Sequence, residues 1–211
     1  MLTLAISTSS GQFALVLGEN NRVIFDSADC DDRRELSGML SYGLDLCNKK
    51  ITGIEQIIVD IGPGGTSRVR TGISFANSLS YSLDIPVCPV SSMELAGIDA
   101  CDKYKLPVIC TVKSMKGNAY TGFFNANKPV VIEYGKIEEV VPAMVKDTDR
   151  FSVVGFHREQ IINMPSLRDK TIVDSHLFFG NARLFIEKSE LFLDRGVKFP
   201  RFAQPVTEET L

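Results

Sequence analysis

Each half of the chain opens with three short apolar runs separated by turn-forming residues, and each set leads into a helical period and then another apolar run. Leu2, Leu4 and Ile6 alternate, Thr8-Ser9-Ser10-Gly11 turns, Phe13 to Leu17 is apolar, Glu19-Asn20-Asn21 turns again, and Val23 to Phe25 follows. Period-two runs bounded by Gly, Asn and Ser clusters predict a three-strand meander. Asp32 with Glu35 three positions later has the form of a capping box, and Leu36, Met39, Leu40, Gly43 and Cys47 continue at helical spacing. The β-branched run Ile57 to Ile61 stops at Gly62-Pro63-Gly64-Gly65. A second helix then carries the stripe Val69, Ile73, Ala76 and Leu83, and Pro86 to Val90 extends as a strand.

The second half starts the same way, with Pro107 to Val112, Tyr120 to Phe124 and Val130 to Tyr134 as strands. A helix over Glu138 to Lys146, strands over Phe151 to Val154 and Thr171 to Asp174, and a closing helix over His176 to Leu193 complete it. A β-β-β-α-β-α order followed by a second, reduced β-β-β-α-β predicts an α/β protein of two lobes, each a mixed sheet flanked by helices. The expected division is an N-terminal lobe over 1–100 and a smaller C-terminal lobe over 101–211, with the junction near Ala96 to Lys105.

Composition narrows the chemistry. With 23 Lys and Arg against 26 Asp and Glu, net charge is −3, so phosphate neutralisation alone gives no hold on nucleic acid. Hydrophobic residues make up 44%, yet no apolar run reaches the roughly 18–20 residues of a bilayer span, and the start MLTLAISTSS has no basic segment of a signal peptide. A cytoplasmic protein with no membrane partner is the expectation. The five cysteines form no C-x-x-C pair and read as reduced structural thiols. His157 and His176, the two histidines, stand 19 positions apart and match no metal-binding spacing, so neither a metal site nor a cofactor is expected.

Two features point to sites. The loop Gly62-Pro63-Gly64-Gly65-Thr66-Ser67-Arg68 joins a strand to a helix, where backbone N–H groups and the helix dipole favour an anion, or where glycine and proline simply shape a turn. It lacks the Gly-Lys-Ser/Thr of a P-loop and the third glycine of a dinucleotide fingerprint. The helix beyond it is uncharged from Thr71 to Leu83, which suggests that both of its faces are covered. Gly72, Ala76 and Ser80 line up as a groove of small side chains on which another helix could lie, beside Phe75 and Leu79, either at a partner interface or packed inside the same lobe. The end of the first strand carries Ser7 where Mg-ATP chemistry needs a carboxylate, and the matching turn of the second half reads Lys113-Ser114-Met115-Lys116.

LAISTSSGQFALVL, DRREL, IGPGGTSRVRTGISFA and LDIPVCPVSSMELA together resemble the TsaB (YeaZ) family of bacterial tRNA threonylcarbamoyladenosine biosynthesis proteins, most closely over residues 2–125. The resemblance implies two ribonuclease H-like lobes of the actin-like ATPase fold. It also implies a non-catalytic subunit that binds the catalytic paralogue TsaD, which an ATPase subunit, TsaE, joins, with tRNA met only through the complex. The resemblance places the partner interface, or a homodimer interface, on the two first-lobe helices. On this chain that gives Leu36, Met39 and Leu40 of the first and Gly72, Phe75, Ala76 and Leu79 of the second, with Arg68 and Arg70 either pinning the Gly62-Pro63-Gly64 loop or the partner, or simply solvated at the surface. The family's usual aspartate at the end of the first strand is Ser7 here, and its Asp-Ala-Arg turn reads Lys113-Ser114-Met115. An ATP-dependent phosphotransferase or ATPase of the same fold is the alternative, and a metal-dependent peptidase a more distant one.

Overall fold

The computed structural model describes residues 1–29, 35–125, 128–198 and 201–207. The Asp32 end of the expected capping box, and Cys30, lie outside them.

The chain divides into two compact units, Met1–Ser92 with Ala182–Pro205, and Met93–Asn181 with Val206–Leu211. In the first unit, β1 (Leu2–Ser7), β2 (Ala14–Glu19) and β3 (Arg22–Asp26) form the meander, followed by α1 (Leu36–Leu46), β4 (Ile54–Asp60), α2 (Thr66–Leu83) and β5 (Val87–Val90). The sheet order is β3-β2-β1-β4-β5, with β1 antiparallel to β2 and parallel to β4. Every residue of β1 is buried, because helices cover one face of this central strand and the returning C-terminal segment lies against the unit as well.

The second unit opens on α3 (Ser92–Tyr104), then runs β6 (Val108–Lys113), β7 (Ala119–Asn125), β8 (Lys128–Gly135), α4 (Ile137–Met144), β9 (Arg150–Gly155), α5 (Arg158–Ile162) and β10 (Thr171–Asp174). Its sheet order is β10-β9-β6-β7-β8, the first sheet's order read from the other end. The same five-stranded mixed-sheet plan is therefore present in both units, as the ribonuclease H-like expectation had it. All five strands persist in the second unit; its reduction lies in α4 and α5, shorter than α1 and α2.

Three expectations need correction. The stretch expected to form the lobe junction is α3, so the first division falls at Ser92/Met93 rather than near residue 100. The closing helix is largely absent: His176 has φ +57°, and α6 (Leu184–Glu187) is a single turn followed by 3-10 turns at Ser189–Leu191 and Leu193–Arg195. Gly180 shows why the 176–193 period fails. Its backbone lies so close to α3 that a Cβ would come within 2.6 Å of Ala96 N. Finally, residues 182–205 belong to the first unit rather than to a C-terminal lobe. Ile186 fills the space left by the missing side chain of Gly18, Arg183 Nη1 is 3.2 Å from Asp26 Oδ2, and Val197 bridges Val87. Hydrophobic periodicity is local and cannot show to which sheet a segment returns.

Candidate functional site

Burial decides which side of each first-unit helix can meet anything outside. Leu36, Met39, Leu40, Gly43 and Leu44 of α1 face inward, as do Val69, Gly72, Ile73, Ala76 and Ser80 of α2. Leu36, Met39, Leu40 and Ala76 join Leu4, Ile6, Ile57 and Val59 in the first unit's core, and Ala76 is 0% exposed. The interface expected at Leu36, Met39, Leu40, Gly72 and Ala76 is thus corrected: those side chains are enclosed by their own unit. The small-residue stripe lets α2 sit close to the sheet, since a Cβ on Gly72 would lie 2.5 Å from Thr8 Oγ1 and 2.9 Å from Thr8 Cγ2. Sequence spacing finds such a stripe but not the neighbour that fills it.

The outward side of α2 is different. Arg70, Thr71, Ser74, Ser78, Tyr81 and Ser82 are exposed, and Phe75 and Leu79 are half-buried at the edge of the core. From Thr71 to Ser82 the exposed positions carry no charge. Phe75 and Thr71 also line a cleft of about 300 Å³ with Phe13 and with Glu35, Leu36 and Ser37 at the start of α1. Arg68 is exposed too, and its Nη1 lies over Gly11, whose φ of +97° leaves no side chain in the way.

The glycine loop is built around a carboxylate that the sequence reading passed over. Asp60 ends β4 beside Ser7 of β1 and is 0% exposed. Its Oδ2 accepts hydrogen bonds from Ser7 Oγ at 2.8 Å, from Ser9 N at 3.3 Å and from Ser9 Oγ, while Oδ1 accepts from Gly62 N at 2.8 Å. Burial pushes the Asp60 carboxyl up from the usual aspartate value, and the Ser9, Gly62 and Ser7 hydrogen bonds oppose it. The legible signal was one acidic residue ending a β-branched run. A carboxylate does stand next to Ser7, then, but on the neighbouring parallel strand, with both oxygens already engaged by the protein's own donors.

The rest of the loop is locked in the same way. Gly62 has φ +85°, the Gly62–Pro63 peptide is cis, and Ser92 N and Ser91 Oγ donate to Gly62 O at 2.9 and 3.0 Å. Ser92 Oγ donates to Pro63 O at 2.7 Å. A Cβ on Gly64 would lie 2.6 Å from Ser9 Cβ, so the loop rests directly on the Thr8-Ser9 turn. The structure thereby gathers Ser7, Ser9, Gly62, Gly64, Gly72, Ser91 and Ser92, scattered in sequence, into one clamp that fixes the start of α2. Chemically, this clamp positions a helix; its polar groups are engaged with one another.

In the second unit the Lys113-Ser114-Met115-Lys116 turn is a hairpin tip, closed by Ser114 N donating to Asn118 O at 3.0 Å, with Lys113, Met115 and Lys116 exposed. Among the described residues no group of three or more His, Cys, Asp and Glu side chains could hold a metal ion. Nor is any helix among them long and apolar enough to cross a membrane.

Residues 31–127 match a family model described as TsaD, tRNA N6-adenosine threonylcarbamoyltransferase. The chain is 28% identical over 166 residues to the tRNA threonylcarbamoyladenosine biosynthesis protein TsaB of Bacillus subtilis, covering 71% of this chain and 68% of that protein. It is 26% identical over 143 residues to TsaB of Buchnera aphidicola, covering 66% and 68%. The solved structure of YeaZ from Pseudomonas aeruginosa superposes with a TM-score of 0.76 at 20% identity, over 98% of this chain and 99% of that one. The structural likeness speaks for the fold and the two curated relatives for the sequence, and both agree with the motifs of the first unit: the chain is similar in sequence to TsaB proteins and in fold to YeaZ.

Proposed function

We propose that this chain is a cytoplasmic, non-catalytic subunit of the machinery that makes threonylcarbamoyladenosine in tRNA, and that it binds the catalytic TsaD paralogue through the outward side of α2 and the cleft beside α1. The observation that carries the reading is the uncharged exposed stretch of α2 from Thr71 to Ser82, flanked by half-buried Phe75 and Leu79. An exposed helix face without charge presents few groups that are costly to desolvate on docking. The interface is this rim, not the inward stripe of Gly72 and Ala76. A second copy of the chain competes for the same surface, and the TsaE ATPase joins once the pair has formed.

The clamp supports the non-catalytic part of the proposal, because Asp60 has its lone pairs occupied by Ser7, Ser9 and Gly62 donors and its outlet to solvent closed. The test is size-exclusion chromatography of the chain with TsaD, together with Mg-ATP turnover by the isolated chain. A shared peak and no turnover are expected. Separate elution at micromolar concentrations, or ATP hydrolysis by the chain alone, would sink the proposal and favour the ATPase reading.

A further inference from the structure

The C-terminal segment that returns to the first unit is fastened to α2 at two points. At its root, Val197 exchanges both backbone hydrogen bonds with Val87 of β5, at 2.8 and 3.0 Å. Lys198 Nζ then donates to Asp84 O at 2.7 Å and stands 3.4 Å from Asp84 Oδ1, at the left-handed residue that caps the end of α2. A cation at that end complements the helix dipole. Further back along the same helix, Asn77 turns both halves of its carboxamide on one residue: Nδ2 donates to Ala203 O at 3.0 Å and Oδ1 accepts from Ala203 N at 3.1 Å. The two fastenings are separated by roughly 10 Å of helix.

This strap is held by few groups. Ala203 is 4% exposed and joins the first unit's core, whereas Arg201, Phe202 and Gln204 around it are exposed. One buried methyl group supplies little apolar area, so the grip of Asn77 and the bridge to Val87 do most of the holding. A segment fastened by a few hydrogen bonds at the surface opens locally, below the cost of unfolding the sheet beneath it.

The strap also borders the side of α2 that faces out. At roughly 100° per residue, Phe75 and Asn77 stand on opposite flanks of the helix, with the exposed Thr71, Ser74 and Ser78 on the side between them. The cleft beside α1 lies on the Phe75 flank and the strap on the Asn77 flank. Ser74 and Ser78 remain exposed with the strap in place, so it is no lid over them. The Gly62 loop fixes where α2 starts, and the strap ties its second half to β5. Together they set the angle at which the exposed side is held. We propose that the strap is a releasable brace that keeps α2 in its docking position, with Asn77 as the latch. The proposal rests on the docking reading of α2 given above. Asn77 acts through the strap and is a positioning residue.

The test uses the full chain, its Asn77→Ala and Ala203→Arg variants and the double variant, in hydrogen–deuterium exchange and in calorimetric titration with TsaD. Exchange is read at the Val197 amide, whose hydrogen bond to Val87 O neither substitution touches. In the native chain Val197 should exchange faster than the amides of β1 and β4, and Asn77→Ala should speed it roughly tenfold while leaving β1 unchanged. Saturating TsaD should slow it, because whatever closure gives to docking, docking returns to closure. Ala203→Arg drives a long cation into the place of an enclosed methyl group and should weaken TsaD binding at least about tenfold, following the fraction of chains left closed. Asn77→Ala should weaken it severalfold, and the double variant no more than Ala203→Arg alone, since both act on one step. Thermal unfolding shows whether each variant keeps its fold, and if Ala203→Arg does not, Asn77→Ala decides the matter. Val197 exchanging no faster than β1, native TsaD affinity in a folded variant whose Val197 exchanges faster, or a double variant clearly weaker than either single one would each overturn the brace. A native chain that does not bind TsaD at all overturns the docking reading, a different result from native binding that an opened strap leaves unchanged.

Discussion

Gly72→Ala tests how α2 is seated, and therefore which of its sides faces out. The new Cβ would sit 2.5 Å from Thr8 Oγ1, 2.9 Å from Cγ2 and 3.3 Å from Cβ, well inside ordinary contact. Thr8 is 0% exposed and β-branched, so it has little freedom to swing aside. Overpacking of this kind costs about 1–3 kcal/mol. Replacing a mid-helix glycine returns about 1 kcal/mol. The net expectation is a loss of about 0–2 kcal/mol, which for a chain of this length is a fall in Tm of up to roughly 8 °C. Thr8→Ala removes the two nearest atoms, and because Thr8 Oγ1 is buried without a hydrogen-bond partner, it orphans no other group. In that background Gly72→Ala should be neutral or stabilising, giving a coupling of at least about 1 kcal/mol between the two sites. Urea unfolding followed by circular dichroism measures all four corners of the cycle. The same destabilisation in both backgrounds, or a stabilising Gly72→Ala in the native sequence, would refute the close approach of α2 to the Thr8 turn.

Two further perturbations address the core and the clamp. Ala76→Arg places an unpaired charge where the side chain is wholly enclosed, at a cost of several kcal/mol against a total stability of about 5–15 kcal/mol; the variant should be insoluble or unfolded at 37 °C by circular dichroism, and a folded, soluble protein would contradict the inward placement. For Asp60, the folded-state value is raised above the 3.8 of an unperturbed aspartate, so between the two values the folded chain holds the extra proton. The stability this group contributes is complete below that unperturbed value and falls as pH rises through the window above it. Relative to Asp60→Asn, the native chain should therefore lose stability from about pH 4 upward in urea unfolding. A stability difference that does not vary with pH would contradict a buried, proton-retaining carboxyl.

The meanders, both early helices and the twofold plan were legible because a sheet strand and an amphipathic helix each write their period into adjacent residues. Thr171–Asp174 was bounded correctly from its composition alone. Less was legible wherever a contact joined distant positions. Gly72, Ala76 and Ser80 looked like a groove awaiting a helix, and nothing local distinguishes that from a groove filled by Thr8. Asp60 was indistinguishable from a strand-end turn residue until Ser7, Ser9 and Gly62 were brought to it. The segment from Ala182 onward was assigned by sequence order, whereas Ile186, Arg183 and Val197 return it to the first sheet. The absence of charge on α2 was read as two covered faces, whereas the helix has one inward side and one exposed, uncharged side.

The account turns on that bare face, and the most direct measurement is calorimetric titration of TsaD with the native chain and with Ser78→Arg. Ser78 is exposed on α2, so the variant should fold with stability within about 0.5 kcal/mol of the native chain. A charge forced into the docked surface without a partner should weaken the complex at least about tenfold. Native affinity in a folded Ser78→Arg chain would show that the outward side of α2 is not where the catalytic subunit binds.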